Sequence, residues 1–74
     1  MGLTLKTREM VRFLEYKGYT FERARGGSHH IYSNGSHSVP IPIHQGKEFG
    51  ERLIHLILKQ TKISKQDLLE FLGR

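Results

Sequence analysis

The spacing of apolar residues near the start of the chain predicts a helix with one buried face. The apolar positions follow Thr7 at helical intervals; they are Met10, Val11, Phe13 and Leu14. Residues three and four positions apart share one side of a helix, so these side chains can pack together. Thr7 can cap the N-terminus, and Gly18 supplies the left-handed backbone that ends a helix after Lys17.

Residues 19–43 change to the pattern of an antiparallel sheet. Apolar and polar side chains alternate at the start of Tyr19–Arg25, which predicts a strand. A glycine turn separates this strand from a second at residues 29–33. Asn34–Gly35 then predicts a hairpin turn, because both residues tolerate positive φ. The third strand, His37–Ile43, contains two prolines that cannot donate to a ladder, so at least one of its sides should be an edge.

Two more helices complete the predicted fold. The apolar positions between Glu48 and Gln60 recur at helical spacing. Ser64 begins a sequence that resembles a capping box, with Asp67 in place of the usual Glu or Gln, and predicts a short last helix. The chain is therefore predicted to be one α+β domain over residues 1–74, a two-layer α-β-β-β-α sandwich with a short C-terminal helix. The helices cover one face of the antiparallel three-stranded sheet and leave the other open.

The composition adds a basic surface to this fold. Twelve Lys and Arg face seven Asp and Glu, a net charge of +5, and such a charge favours a polyanionic partner such as RNA. The chain has no cysteine, which excludes disulfides and thiolate zinc sites and favours a reducing cytoplasm. No stretch approaches the ~20 apolar residues of a membrane span. We therefore expect a cytoplasmic protein without a membrane partner, and a chain this short leaves no separate domain for a cofactor.

Histidines are concentrated in the middle of the chain. Four of the five lie between positions 29 and 44; they are His29, His30, His37 and His44. Histidine titrates near neutral pH, and RNA carries its own nucleophile, the 2′-hydroxyl. Cleavage of RNA therefore needs an acid, a base and cations, with no obligatory metal. A metal site built from His29, His37 and His44 is the alternative; it has no Cys or acidic ligand to join it, so we expect no metal.

The segment Gly26–His30 is the most informative part of the sequence. Its glycines allow the backbone to approach a ligand closely, and the Ser28 hydroxyl with nearby amides can hold a phosphate oxygen. Because adjacent strand residues point to opposite faces, only one of His29 and His30 faces the open side of the sheet. The alternation does not say which. The alternative interpretation is a plain turn before a strand that carries surface histidines.

Four further residues are candidates for contacts with RNA phosphates. Arg23, Arg25 and Lys47 flank the glycine turn in sequence or across the predicted sheet, and ordinary solvated side chains are the alternative interpretation. His44 follows the third strand. It either binds phosphate and assists catalysis or orients the backbone through a hydrogen bond.

Several motifs of this chain resemble those of the HicA toxin family. Gly27–Tyr32 resembles the family's glycine-serine-histidine-histidine-x-aromatic signature. Met10–Glu15 leads to Gly18–Tyr19 as in its first helix and glycine-aromatic step. Val39–His44 resembles its third strand, and Ile57–Gln60 resembles its second helix. The motifs follow one another in the family's order over nearly the whole chain.

This resemblance implies a fold, an activity and a partner. The fold would be similar to double-stranded RNA-binding domains, and the protein would be an endoribonuclease toxin that acts on mRNA and is neutralised by a HicB-like antitoxin. His29 would be the catalytic residue, with Gly27 and Ser28 beside it, while Tyr32 and His30 would face inward. The alternative function is a non-catalytic RNA-binding module of similar fold, which needs cations and aromatics but no positioned imidazole.

Overall fold

The structure, a computed structural model, describes residues 2–43 and 48–74. Its elements follow one another as β1 (Leu5–Lys6), α1 (Thr7–Tyr16), β2 (Thr20–Arg25), β3 (His29–Ser33), β4 (Ser38–Pro42), β5 (Glu48–Phe49), α2 (Glu51–Thr61) and α3 (Lys65–Leu72). The predicted α+β sandwich is confirmed, with the strand boundaries displaced by at most one residue from those predicted. None of the helices in the described ranges is long and apolar enough to cross a membrane.

The three predicted strands form an antiparallel sheet in the order β2-β3-β4. The predicted turn at Asn34–Gly35 joins β3 to β4: the Asn34 Oδ1 accepts hydrogen bonds from the Ser36 and His37 amides at 2.9 and 2.7 Å. Gly35 has a φ of +95°, which a glycine adopts without strain. A bulge interrupts the β2–β3 pairing between Phe21 and Arg23. The sheet therefore has β3 at its centre and β2 and β4 at its edges.

The first helix ends where the sequence predicts, but its N-cap lies one residue before the predicted cap, Thr7. Lys6, and not Thr7, is the N-cap: its backbone is extended, and its amide donates to the Glu9 Oε1 at 2.8 Å. Thr7 is the first helical residue, and its buried hydroxyl finds no hydrogen-bond partner among the described residues. The C-cap is Lys17, and Gly18 follows with a φ of +93°.

A second, two-stranded sheet was not predicted. Glu48 and Phe49 were expected to begin the second helix, but they pair with Lys6 and Leu5 in antiparallel register. Leu5 is fully buried and Phe49 is 4% exposed, so burial of both side chains favours the extended pairing. Gly50 is extended and serves as the N-cap of α2, which delays the helix to Glu51.

The third helix begins at the predicted cap. The Ser64 Oγ accepts a hydrogen bond from the Asp67 amide at 3.1 Å. This bond satisfies one of the amides that the first turn of a helix leaves without an intrahelical partner. The short C-terminal helix of the sequence prediction is thereby confirmed.

The helices pack on the sheet face that carries Tyr32, Val39 and Ile41. The main helical members of this core are Met10, Phe13, Leu14, Ile54, Ile57, Leu58 and Leu68. Residues directly opposite in an antiparallel pair share a face, so the register assigns the other positions of each strand to the far side. That far side is the open face of the sheet.

Candidate active site

Strand alternation places His29 on the open face of the sheet. On β3, Tyr32 is buried in the core, and His30 shares its face because the two residues are two positions apart. His29 therefore points to the opposite side, where it is exposed to solvent. This geometry decides between the two histidines, which the sequence pattern alone left open, and it agrees with the inward Tyr32 and His30 that the family resemblance implies.

The register places a cation beside His29. Arg25 on β2 lies directly opposite His29, and Pro42 on β4 lies opposite it on the other side. Among the described carboxylates, none lies within ion-pair distance of Arg25. Arg23, by contrast, is paired with the neighbouring Glu22. Of these two arginines, the one without an ion-pair partner is therefore Arg25, which lies directly opposite the exposed His29.

The turn that precedes His29 depends on its two glycines. Gly26 and Gly27 have φ values of +49° and +33°, which side-chain-bearing residues adopt only with strain. The His29 amide donates to the Gly26 carbonyl at 3.2 Å, and the Ile43 amide donates to the Ser28 carbonyl at 2.6 Å. The first bond closes the turn on β3, and the second ties half-buried Ser28 to the residue that follows β4.

An open depression of about 440 Å³ lies at this end of the sheet, lined by Arg25, Gly26, His29 and Pro40. Next to it along β3, Ile31 is only 3% exposed although it lies outside the core between sheet and helices. Its cross-strand neighbours are Arg23 and Pro40. The depression thus combines one imidazole and one free cation with an apolar proline.

The opposite side of the same strand carries an aromatic cluster. The ring of Phe21 lies edge-on to those of His30 and Tyr32, with centroids 5.0 and 6.0 Å apart. Burial, and then the nearby Glu15 carboxylate, raises the pKa of Tyr32 above its ordinary value. The Tyr32 hydroxyl therefore keeps its proton to a higher pH than an unburied tyrosine does.

Comparison with known proteins identifies the family. The family model of the HicA toxin of bacterial toxin–antitoxin systems matches residues 7–63. The chain belongs to the HicA family. Searches of curated proteins and of solved structures gave no significant match. Membership makes this protein a toxin of a toxin–antitoxin system, which implies an antitoxin partner.

The match to the HicA family includes the whole of the open face described above. It spans α1, the three-stranded sheet and α2, and therefore the glycine turn with His29. Two of the predicted site residues, His44 and Lys47, lie outside the described residues 2–43 and 48–74. Their roles stay predictions.

Two of the three histidines of the alternative metal site are described in this HicA protein; the third, His44, lies outside residues 2–43 and 48–74. The expectation of no metal therefore stays a prediction. His29 is the first residue of β3, whereas His37 precedes β4 at the far end of the hairpin. The two ends of β3 are four positions apart, which is about 13 Å along the strand. In the described ranges, no three His, Cys, Asp or Glu residues are grouped to bind a metal.

The sequence interpretation missed the two prolines as parts of the site. Pro40 and Pro42 were noted only as residues that limit strand pairing, yet they lie on the open face beside Ile31 and His29. The alternation of apolar residues in β4 could have predicted this position. Val39 and Ile41 are its buried residues, so Pro40 and Pro42 must point to the opposite, open face.

Proposed function

We propose that this HicA family toxin is a metal-independent endoribonuclease that cleaves mRNA in the cytoplasm, with His29 as its catalytic acid and base. The observation that supports the proposal most strongly is the position of His29. It is exposed on the open face of the sheet, directly opposite the free cation Arg25 and at the exit of a glycine turn. Family membership supplies the toxin role.

The proposed reaction uses the nucleophile that RNA already carries. Neutral His29 accepts the proton of a 2′-hydroxyl, and the 2′-oxygen attacks the adjacent phosphorus. The bond between phosphorus and the 5′-oxygen breaks, and the imidazolium returns its proton to the leaving 5′-oxygen. The products are a 2′,3′-cyclic phosphate and a free 5′-hydroxyl, so protons and bonds balance without water or metal.

Arg25 stabilises the charge that develops on the phosphate. Its guanidinium can donate to the two non-bridging oxygens, whose negative charge grows as the fifth bond to phosphorus forms. Gly26 and Gly27 carry no side chains, so the backbone of the RNA can approach this turn closely. The proposed RNA contacts are Gly27, Ser28, Arg23, Arg25, His44 and Lys47. Among these, we assign Arg23 a weaker role because Glu22 already pairs with it.

The proposed partner of the toxin is a HicB-like antitoxin that covers the open face. An acidic partner is complementary to a chain with a net charge of +5. Covering His29 inhibits the toxin directly, because the RNA then has no access to the imidazole.

Expression of the chain in bacteria tests the proposal. The wild type should arrest growth and deplete mRNA, whereas His29→Ala should fold normally and be harmless. The matched control is His37→Ala, which removes an exposed histidine at the far end of the hairpin and should remain toxic. A folded His29→Ala variant that still arrests growth contradicts the catalytic assignment.

The same pair of variants separates a nuclease from a non-catalytic RNA-binding module. A binding module acts through its cations and aromatics, so loss of one imidazole would leave its toxicity nearly intact. A nuclease loses toxicity with His29 alone.

A further inference from the structure

The two edges of the three-stranded sheet differ in their capacity to pair with another strand. On β4, Pro40 and Pro42 lie opposite Ile31 and His29. The Ile43 amide donates to the Ser28 carbonyl, and hydrogen-bonded and non-hydrogen-bonded pairs alternate in an antiparallel ladder. The pairs that contain Pro40 and Pro42 are therefore the non-hydrogen-bonded ones. The backbone nitrogens of the two prolines face away from β3, toward the outer edge of β4. Because proline has no N–H, the β4 edge offers no donor there.

The β2 edge keeps its donors. By the same alternation, His29 and Ile31 direct their backbone groups toward β2, where they meet Arg25 and Arg23. Ala24 lies between these two residues, so its N–H and C=O point away from the sheet. All six residues of β2 are exposed. The edge beside the candidate active site is therefore available for strand addition.

The side chains of β2 select the kind of strand that can pair there. Arg23 and Arg25 lie on the open face, so a second copy of β2 would bring arginine close to arginine, and like charges on neighbouring strands are destabilising. Ala24 lies on the other face, on the same side as Phe21, which is 52% exposed. The bulge between Phe21 and Arg23 limits regular pairing to Arg23–Arg25.

We propose that the β2 edge binds a short extended segment of a partner protein in which acidic side chains alternate with apolar ones. One acidic side chain faces Arg25, and a second faces Arg23, where it competes with Glu22 for the guanidinium. The apolar side chains face Ala24 and Phe21, and the Ala24 backbone supplies hydrogen bonds. Because Arg25 also lines the depression beside His29, an occupied edge competes with RNA for this cation. The proposal stands on the strand geometry and charge and does not depend on the catalytic role of His29.

Synthetic peptides test this proposal on the full chain. The probe is a capped hexapeptide of three alternating Val-Glu pairs; the controls are a peptide of three Val followed by three Glu, and a Val-Lys peptide. Backbone NMR should show perturbation centred on β2 and slower exchange of the Ala24 amide. The alternating acidic peptide should bind about tenfold more tightly than the block peptide, as expected from two cross-strand charge pairs and their apolar neighbours.

Two variants of the chain complete the test. Arg23→Glu combined with Arg25→Glu should reverse the preference, so that the Val-Lys peptide binds best. Ala24→Pro removes the outward N–H and should abolish binding while the circular dichroism spectrum is unchanged. If Ala24→Pro does not fold, the double charge reversal decides alone.

Three results overturn the proposal: equal binding of the alternating and block peptides, perturbation centred on β4, or no binding of the alternating peptide at millimolar concentration. Analytical ultracentrifugation of the free chain can give a fourth result that overturns the proposal. A dimer in which the Ala24 amide is protected assigns the edge to a second copy instead.

Discussion

Arg25 lies directly opposite His29 across the β2–β3 ladder, on the sheet face that the helices leave open. The Cβ atoms of such a pair are about 5 Å apart, so one phosphate can contact both side chains. Arg23 lies on the same face of β2, two positions along the strand, but its guanidinium pairs with Glu22. The two arginines therefore differ in what they can offer to RNA.

This difference predicts unequal effects of two matched substitutions. Arg25→Ala should lower kcat/KM for cleavage of a fluorogenic RNA by about 10- to 100-fold, because it removes the cation beside the reacting phosphate. Arg23→Ala should have a clearly smaller effect, since the wild-type side chain is already ion-paired. Equal losses, or a larger loss for Arg23→Ala, contradict the placement of the phosphate beside Arg25.

Cleavage should continue in a chelator. The proposed reaction uses the 2′-hydroxyl of the RNA and the His29 imidazole, so it needs no metal-activated water. The check is the rate of RNA cleavage before and after dialysis against EDTA, with a metal-dependent nuclease as the positive control. A rate that falls in EDTA and recovers when zinc or magnesium is added contradicts metal independence.

The antitoxin and RNA should share the open face. Arg25→Glu introduces a negative charge beside His29, so it should weaken binding of the antitoxin and of RNA alike. Titration calorimetry with the antitoxin and fluorescence anisotropy with labelled RNA measure the two affinities. If RNA binding collapses while the antitoxin affinity is unchanged, direct occlusion of His29 is the wrong mechanism.

Tyr32 should make the fold sensitive to alkali. Burial first, and the Glu15 carboxylate second, raise the pKa of Tyr32 above 10.0. Above about pH 10, the folded chain therefore binds more protons than the unfolded chain. The free energy of unfolding keeps its full value below pH 10 and decreases as the pH rises above it. Urea unfolding at about pH 9 and about pH 11 should show a smaller loss of unfolding free energy for Tyr32→Phe than for the wild type.

The control for this pH effect is Tyr16→Phe. Tyr16 is 70% exposed, so its loss should leave the alkaline dependence of stability as it is in the wild type. An identical pH dependence for wild type and Tyr32→Phe contradicts the assignment to Tyr32.

Much of the fold follows from local patterns that the structure retains. The stop at Gly18, the turn at Asn34–Gly35 and the cap at Ser64 each depend on the residue itself and its near neighbours. Such signals act within a few residues, so they are visible in the sequence. The pairing of Glu48–Phe49 with Leu5–Lys6 depends on contacts between distant parts of the chain. The helical pattern that begins just after Phe49 led the sequence analysis to assign Glu48 and Phe49 to the helix.

The candidate site was predictable in part, and the catalytic role of His29 stays a prediction. His29 was identified through the family resemblance, and the structure adds the reason that it faces outward, which is the burial of Tyr32 three residues later. The difference between Arg23 and Arg25 was not predictable, because alternation places both on one face. The difference depends on the register, which places Arg25 and not Arg23 opposite His29, and on the ion pair between Arg23 and Glu22.

Cleavage and binding of RNA by purified His29→Ala, measured side by side with the wild type, test the central claim most directly. The single-turnover cleavage rate should fall by at least about 100-fold, since general acid–base catalysis contributes that much or more. The dissociation constant for RNA should change little, because the cations provide most of the affinity. A His29→Ala protein that cleaves RNA at the wild-type rate contradicts the account, as does one whose cleavage is lost only in proportion to its binding.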